Sequence, residues 1–406
     1  MKTRARLFIA ATLLAGSAMS AHADVITDWN VKAGELVVEA KLGTPPANRV
    51  MAIVQTAAYE AVNAITRRFP DSQLKTWQAR GASVDAAVAA ANRAAFVKLL
   101  PQQQASIDRA YQAALATIPE GPAKAAGLVV GEMAAAEILA SRADDRVAGG
   151  ESYRPHTAAG LYIPTVVPAV PHWSQRKPWL MKDAAQFRPG PPPALTSQAW
   201  ARDYNEVRSL GGRTGARSDE QTEIARFWEY SLPPIYHAVV RSVAGMPGRE
   251  VTQNARLFAA AAQAMDDAMI AVFDAKYHYH FWRPVTAIRN GDQDDNDATG
   301  REPSWAPFIE APMHPEYPSG HTILAGALGT VLQAELGAGQ SPILASSSPT
   351  AKNVVRRWTD VDDFTREVEN ARIYEGIHYR NSVEVGTAMG RQIGALAVAR
   401  YLRVPR

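Results

Sequence analysis

The sequence predicts an all-α fold of antiparallel helical bundles, and three observations support this prediction. Apolar residues recur at helical spacing, as in the run from Val50 to Ile65. Alternating, strand-like patterns are scarce along the 406 residues. Many segments are rich in alanine, which favours helices and allows them to pack closely.

Further helices follow the Val50–Ile65 segment in chain order. Three are expected before residue 148 and six more after residue 196. They are Val84–Leu100, Gln104–Ile118, Pro122–Ala143, Ser197–Leu210, Ser218–Tyr230, Val251–Lys276, Gly320–Leu336, Asp362–Tyr374 and Ser382–Leu402.

A proline-rich segment from about residue 148 to 195 interrupts the helical pattern. Prolines this dense exclude a continuous helix, whereas Trp173 and Trp179 favour packing against the core over a free linker. We therefore expect an N-terminal helical layer with this wrap at 24–195. A C-terminal helical bundle at 196–406 would carry the functional site.

The first 23 residues have the features of a signal peptide. Lys2, Arg4 and Arg6 precede the apolar run Leu7–Ala15, and a small-x-small cleavage site ends at Ala23. The run is too short for an ordinary membrane span, and no later segment is long and apolar enough to be one. We expect cleavage near Ala23 and a secreted, periplasmic protein with no membrane span in the mature chain.

Composition excludes several classes of function. The sequence contains no cysteine, which rules out disulfides, thiolate metal sites and cysteine nucleophiles. The net charge of +3 is too weak for electrostatic capture of nucleic acid, so no nucleic-acid partner is expected. The oligomeric state is unknown from the sequence.

Three short stretches carry residues suited to binding oxyanions. They are residues 276–283, 314–321 and 372–380, and their anion-competent members are Lys276, Arg283, Ser319, Gly320, His321, Arg372 and His378. Lysine and arginine donate charge-assisted hydrogen bonds to anionic oxygens. A Ser-Gly pair before an apolar helix supplies backbone N–H groups, and histidine can act as ligand, nucleophile or proton donor.

Each of these pieces also has an ordinary structural explanation. A lysine or arginine beside aromatic residues often lies at the surface with its stem packed, and Pro-Ser-Gly is usually a turn. The combination in fixed order favours one site for a tetrahedral, multiply charged anion such as phosphate or vanadate.

In this order and spacing the motifs resemble those of type 2 phosphatidic acid phosphatases and vanadium-dependent haloperoxidases. The form His-Pro-x-Tyr-Pro-Ser-Gly-His at 314–321 resembles the haloperoxidase branch. The likeness extends over nearly the whole mature chain, through residues 49–63, 187–197, 217–228 and 303–307.

This resemblance implies vanadate as the cofactor. His378 would ligate vanadium, and His321 would be the acid–base group. The oxo groups would be held by Lys276, Arg283, Ser319, Gly320 and Arg372. Lys276 would also activate hydrogen peroxide toward a halide, and the hypohalous acid formed would react with a small organic acceptor.

His314 bears on the choice of halide. Relatives that oxidise bromide carry histidine seven residues before the second-motif histidine, whereas chloride oxidisers tend to carry an aromatic residue there. The resemblance therefore favours bromide, adds His314 to the catalytic residues and places Phe273 in the same cavity. The alternative is that His314 only holds the loop.

The superfamily also leaves a phosphatase open. In that case no cofactor is needed, phosphate occupies the same site, His378 forms a phosphohistidine and His321 protonates the leaving alcohol. Ala371, where the phosphatases usually have serine, favours the haloperoxidase branch. A non-catalytic binding protein is a third possibility, although it would be expected to lose some of the seven residues.

One departure concerns the group that orients His378. An aspartate commonly follows the third-motif histidine by four residues, but Ser382 stands at that position. The sequence leaves open what orients His378, and a backbone carbonyl and Glu384 are the possible substitutes.

Overall fold

The computed structural model describes residues 24–69, 79–149, 153–339 and 341–402. Within these ranges the chain is mostly helical, as predicted, with thirteen α-helices and one hairpin. The helices are α1 Val25–Glu39, α2 Thr44–Thr66, α3 Val84–Leu99, α4 Gln104–Ala116, α5 Pro122–Ser141, α6 Gln198–Gly211, α7 Asp219–Trp228, α8 Pro233–Ala244, α9 Val251–Tyr279, α10 Pro284–Arg289, α11 Gly320–Leu336, α12 Val361–Tyr374 and α13 Arg380–Ala397. The strands are β1 Leu344–Ser348 and β2 Val354–Trp358.

Every helix expected from periodicity is present, with ends shifted by a few residues, and three further helices were missed. Helix α8 begins with Pro233 and Pro234, which resemble a loop in the sequence. Proline is tolerated in a first turn, because the N–H it lacks has no partner inside the helix. Helix α1 is capped by Asp24, whose side chain accepts from the backbone N–H of Thr27 at 2.9 Å.

The hairpin is the other difference from the prediction. Strands β1 and β2 pair antiparallel with Leu344 opposite Trp358, and β1 packs against α8. The buried Ser346 hydroxyl donates to the carbonyl of Ile235 at 2.7 Å, which ties the hairpin to that helix. Five-residue strands with three consecutive serines give little alternating signal.

Helix α9 is the central element of the fold. It is buried along almost all of its 29 residues and packs against α2 on one side and α11 and α13 on another. One hydrophobic cluster runs from α1 and α2 through α9 to α13. The domain boundary at residue 195 stays a prediction.

Two aspartates of α9 bind the irregular segment that precedes α6. Asp266 accepts from Arg176 at 2.7 and 3.0 Å. Asp267 accepts the backbone N–H groups of Trp179, Leu180 and Met181 at 2.7–2.9 Å. These buried bonds hold the segment on the helix that carries Lys276.

Helices α11 and α13 lie unusually close together. A Cβ atom added at Gly390 would come within 2.2 Å of the carbonyl oxygen of Ile323, and one at Gly386 within 2.7 Å of that of Ser319. Glycine at these places brings the start of α11 beside the start of α13.

Among the residues described, no helix combines the length and apolar character needed to cross a membrane.

Candidate functional site

The residues predicted to bind an oxyanion meet at one cavity of about 540 Å³. Its lining includes Lys276, His314, Gly320, His321, Arg372 and His378. Arg283 and Ser319 are buried directly behind them. A larger groove between α1 and α4 contains none of these residues.

The start of α11 forms one wall of the site. Ser319 is the N-cap residue, but its side chain does not cap the helix, and its buried hydroxyl has no hydrogen-bond partner. A Cβ atom added at Gly320 would meet nothing within 4 Å, so the first helical residue faces open space. The first N–H groups of a helix have no partner within it and attract anions.

Arg372 lies in the last turn of α12 and is fully buried. Its Nη1 donates to the carbonyl of Trp228 at 2.8 Å and to Glu375 at 2.7 Å, whereas its buried Nε has no partner. Burial raises the pKa of Glu375 to about 8, against the opposing effect of Arg372. Arg372 thus has a fixed orientation and at least one donor left for a ligand.

Arg283, the residue before α10, joins the loops of the second and third motifs. Its Nε donates to the carbonyl of His314 at 3.0 Å, and Nη1 donates to that of Ile377 at 2.8 Å. Nη1 also lies 3.3 Å from Nε2 of His378, and Nη2 lies 2.9 Å from Nδ1 of His314. Because a guanidinium can only donate, the contact with His378 favours an unprotonated Nε2. Nδ1 of His314 lies between this donor and the carbonyl oxygen of Pro315, an acceptor at 3.1 Å.

Lys276 has all three of its ammonium donors engaged. Nζ donates to the carbonyls of Pro315, Glu316 and Pro318 at 3.1, 2.7 and 2.6 Å. Burial, followed by the charge of Arg283, lowers the pKa of Lys276 well below its usual value. Three accepting carbonyls nevertheless require a protonated amine. Lys276 therefore stabilises the turn before α11 and also lines the cavity. To bind an anion, it would exchange one of its hydrogen bonds to these carbonyls for one to the anion.

The ring of His378 is held by a carboxylate that the sequence analysis did not identify. Nδ1 lies 2.6 Å from Oε1 of Glu316, which also accepts the backbone N–H of Tyr379 at 3.2 Å. Neither substitute named from the sequence has this role, and Glu384 is on the exposed face of α13. Burial raises the pKa of Glu316 to about 7, while nearby cations lower it.

Burial lowers the pKa of His378 well below its usual value, and Arg283 and Lys276 act in the same direction. The ring is therefore neutral. Its proton is on Nδ1, facing Glu316, and Nε2 carries a lone pair.

His321, the second residue of α11, has a different environment. Its Nε2 is buried without a hydrogen-bond partner. Burial and the charge of Arg372 lower the pKa of this ring, against hydrogen bonding from the backbone of Trp228 and Tyr230. A neutral imidazole with a free nitrogen in the cavity can accept and return a proton.

The cavity wall away from the anion-binding groups is mostly apolar. The rings of Phe273 and His314 meet edge to face at 5.2 Å. Ala169 and Val170 line another side of the cavity. The N–H of Ala169 donates to the carbonyl of Met313 at 2.6 Å, and the carbonyl of Ala169 accepts from the Tyr277 hydroxyl at 2.5 Å. Val170 has a φ of 44°, in the left-handed region.

Three buried polar atoms without partners give a test of whether an oxyanion fits. Ser319 Oγ, His321 Nε2 and Arg372 Nε are buried and unpartnered. Such groups are rare in folded proteins, because each carries a desolvation penalty. A tetrahedral oxyanion beside Nε2 of His378 would accept from Ser319 and Arg372, and a hydroxyl group on it would donate to His321, so the residues fit vanadate or phosphate.

Sequence reasoning missed two carboxylates in this site. Glu316 lies inside the second motif and Glu375 three residues after Arg372 on the same helix. The spacing of Arg372 and Glu375 was a usable signal, since side chains three apart on a helix are neighbours. The contact between Glu316 and His378 spans 62 residues and had no local signal.

Known proteins share parts of this sequence and most of this fold. Vanadium chloroperoxidase from Curvularia inaequalis is 30% identical over 172 residues, which cover 34% of this chain and 28% of that protein. The chain thus spans less than a third of the length of this relative. The crystal structure of the first bacterial vanadium-dependent iodoperoxidase has a TM-score of 0.77 and 24% identity, covering 92% of this chain and 95% of that one. For a holo-type bacterial vanadium-dependent chloroperoxidase the TM-score is 0.73 and the identity 19%, over 89% and 94% of the two chains.

Fold and site together define a helical-bundle protein that encloses a site for a tetrahedral oxyanion. Residues 256–405, which contain all three motifs, match the family model of the VCPO second helical-bundle domain. This part of the chain is therefore similar to the vanadium chloroperoxidases, as its motifs predicted.

Proposed function

We propose that the protein is a vanadate-dependent haloperoxidase, which uses hydrogen peroxide to oxidise a halide to hypohalous acid. One observation carries this proposal. Nε2 of His378 is kept unprotonated, by Glu316 on one side of the ring and Arg283 on the other. A neutral imidazole nitrogen is the form that coordinates a metal.

The remaining groups suit the oxygen atoms of vanadate. Arg372 and Ser319 would donate from their unpartnered atoms, and the N-terminus of α11 would add backbone N–H groups at Gly320. Arg283 would move its 3.3 Å contact from Nε2 of His378 to an oxygen. When bound, vanadate would supply a Lewis-acidic centre for peroxide activation that needs no change of oxidation state.

Proton transfer is assigned to His321. Its free Nε2 would take a proton from hydrogen peroxide and return it to the departing hydroxide, which would leave as water. Lys276 would place positive charge beside the reacting oxygen, which favours attack by a halide. Its three carbonyl bonds hold that charge in place before any substrate arrives.

Bromide is the halide that we propose, with a small organic acceptor for the product. His314 and Phe273 are in contact at the cavity. Nδ1 of His314 lies between the guanidinium of Arg283 and the carbonyl oxygen of Pro315, so Nε2 is the ring nitrogen left for a halide or the anion. His314→Phe should lower kcat/KM for bromide relative to iodide, and an unchanged ratio would contradict a halide-related role.

An acid phosphatase is the second candidate, because the same lone pair on Nε2 of His378 could attack a phosphoryl group. The deciding experiment incubates the purified protein with orthovanadate and assays peroxide-dependent bromination beside phosphate-ester hydrolysis. Bromination that requires vanadate supports the haloperoxidase. Hydrolysis that vanadate inhibits, without bromination, supports the phosphatase.

Export from the cytoplasm remains part of the proposal. Its basis is the sequence pattern of residues 1–23, which lie outside the described residues. Detection of a mature N-terminus at Asp24 in a periplasmic fraction would test it.

A further inference from the structure

Glu316 is in contact with all three motifs of the site. Its backbone carbonyl accepts from Lys276 at 2.7 Å, and its backbone N–H donates to Phe281 at 2.8 Å. Its side chain accepts from His378, which is 62 residues further along the chain. The residue is fully buried. It therefore has one orientation, defined by groups from three separate segments.

The carboxylate is itself oriented by the backbone. Oε1 accepts the N–H of Tyr379 at 3.2 Å in addition to the ring of His378. An ionised carboxylate can only accept, so Oε1 is an acceptor for both the Tyr379 N–H and the ring when Glu316 is ionised. Nδ1 of His378 then meets an acceptor and has to carry the proton.

The opposite side of the ring is constrained in the same sense. Arg283 Nη1 points a donor at Nε2 from 3.3 Å. This contact is longer and competes with the bond from Nη1 to the carbonyl of Ile377 at 2.8 Å. It would also be given up when an anion binds. When an anion binds, the shorter contact between Nδ1 of His378 and Glu316 is the one that remains.

We propose that Glu316 is a positioning residue that fixes the tautomer and ring orientation of His378, so that Nε2 stays free to bind the anion's central atom. This role rests on the proposed vanadate site. The side chain of Glu384 is exposed, and the buried Ser382 hydroxyl has no hydrogen-bond partner. The orienting carboxylate thus comes from the turn before α11 and not from α13.

A spectroscopic experiment on vanadate-free protein tests the proposal directly. Protein labelled with ¹⁵N-histidine is examined by long-range ¹H–¹⁵N correlation, and the His378 signals are assigned by their loss in His378→Gln. Wild-type protein should show a protonated Nδ1 and an unprotonated Nε2. Glu316→Ala should give a mixture of tautomers. A single Nδ1–H tautomer in Glu316→Ala would overturn the proposal.

Glu316→Gln separates hydrogen bonding from charge. Tyr379 should keep the amide oxygen of Gln in the Oε1 position, so this variant should retain the wild-type tautomer. If Glu316→Gln lost the Nδ1–H tautomer as completely as Glu316→Ala, the proposed mechanism would be overturned. Asp294→Asn is the matched control, because Asp294 is a buried carboxylate that binds Trp200 at 2.7 Å. It should leave the His378 spectrum unchanged.

Vanadate binding gives a second, independent readout by equilibrium dialysis. Loss of a group that orients a metal-binding histidine typically weakens binding about 10–100-fold. We expect this loss for Glu316→Ala and a smaller one for Glu316→Gln. Equal affinity in all three proteins would contradict the proposal. If wild-type protein bound no vanadate, the proposed function would fail, while the ring-nitrogen spectrum would still decide the role of Glu316.

Discussion

Arg372 and Glu375 form a buried ion pair one helical turn apart, with Nη1 of the arginine 2.7 and 2.6 Å from the two carboxylate oxygens. Both side chains are almost completely inaccessible to solvent. The pair places a negative charge beside a site that is otherwise arranged to attract anions. It therefore opposes anion binding whenever Glu375 is ionised.

Glu375→Gln should strengthen binding of phosphate or vanadate, and more so at pH 9 than at pH 6. Burial raises the pKa of Glu375 to about 8, so the wild-type residue is largely protonated at pH 6 and ionised at pH 9. At an effective dielectric constant of about 20, a neighbouring unit charge contributes on the order of 1–4 kcal/mol. We expect a gain of about tenfold at pH 9.

Calorimetric titration with phosphate at the two pH values measures this effect. Titration of phosphate itself is common to both proteins and cancels in the ratio of their dissociation constants. A ratio that does not change with pH would contradict the role given to Glu375.

His378→Ala and His321→Ala should have different effects on the proposed cofactor. His378→Ala should abolish retention of vanadium, because the remaining contacts are hydrogen bonds that water can replace. His321→Ala should keep the bound anion and lose turnover by roughly 10²–10⁴-fold, the range typical of general acid–base catalysis. Metal analysis after gel filtration, combined with a bromination assay, distinguishes them. Equal loss of vanadium would show that the roles are assigned wrongly.

Phosphate should delay activation of the vanadate-free protein. Phosphate and vanadate are both tetrahedral oxyanions, and the three cations of the site do not distinguish them by charge. Bromination activity should therefore recover slowly on adding vanadate in phosphate buffer and faster in a buffer without phosphate. Peroxidase activity that is indifferent to vanadate after chelation and phosphate washing would place the oxidation at another centre.

His237 should make the fold less stable in mild acid. Its Nδ1 accepts from Asn30 at 2.8 Å inside the core, and burial together with Arg241 lowers its pKa to about 3. The unfolded chain has a histidine pKa of about 6.5. Because the folded value is the lower one, this stabilisation is complete above pH 6.5 and is lost as the pH falls toward 3.

His237→Gln should therefore flatten the decline in unfolding free energy below pH 6.5. The largest difference in slope expected is about 1.4 kcal/mol per pH unit. Urea unfolding at pH 7, 6 and 5 measures it, with the exposed His278→Gln as the control. Identical slopes in wild-type and His237→Gln would rule out this contribution.

The helices and the anion-binding residues followed from local sequence signals. Periodicity predicted α2 and α9, and Ser319 and Gly320 were expected at the start of a helix. The short helix α8 was hidden by its opening prolines, and β1 and β2 by their lack of alternation. The partners of His378 and Lys276 depend on contacts between distant segments. No window of sequence shows that Lys276 binds three carbonyls of a turn 39–42 residues away.

Val170 affects both the stability of the chain and the shape of the cavity. A β-branched residue with a φ of 44° carries a strain of about 1–3 kcal/mol, and the bonds of Ala169 to Met313 and Tyr277 hold it in place. Val170→Gly would release that strain, at a cost of about 1 kcal/mol from the added freedom of the unfolded chain. It would also remove the packing of a partly buried valine against the core, which offsets the released strain. The variant would have a wider opening, so the strained valine narrows the cavity at little net cost in stability.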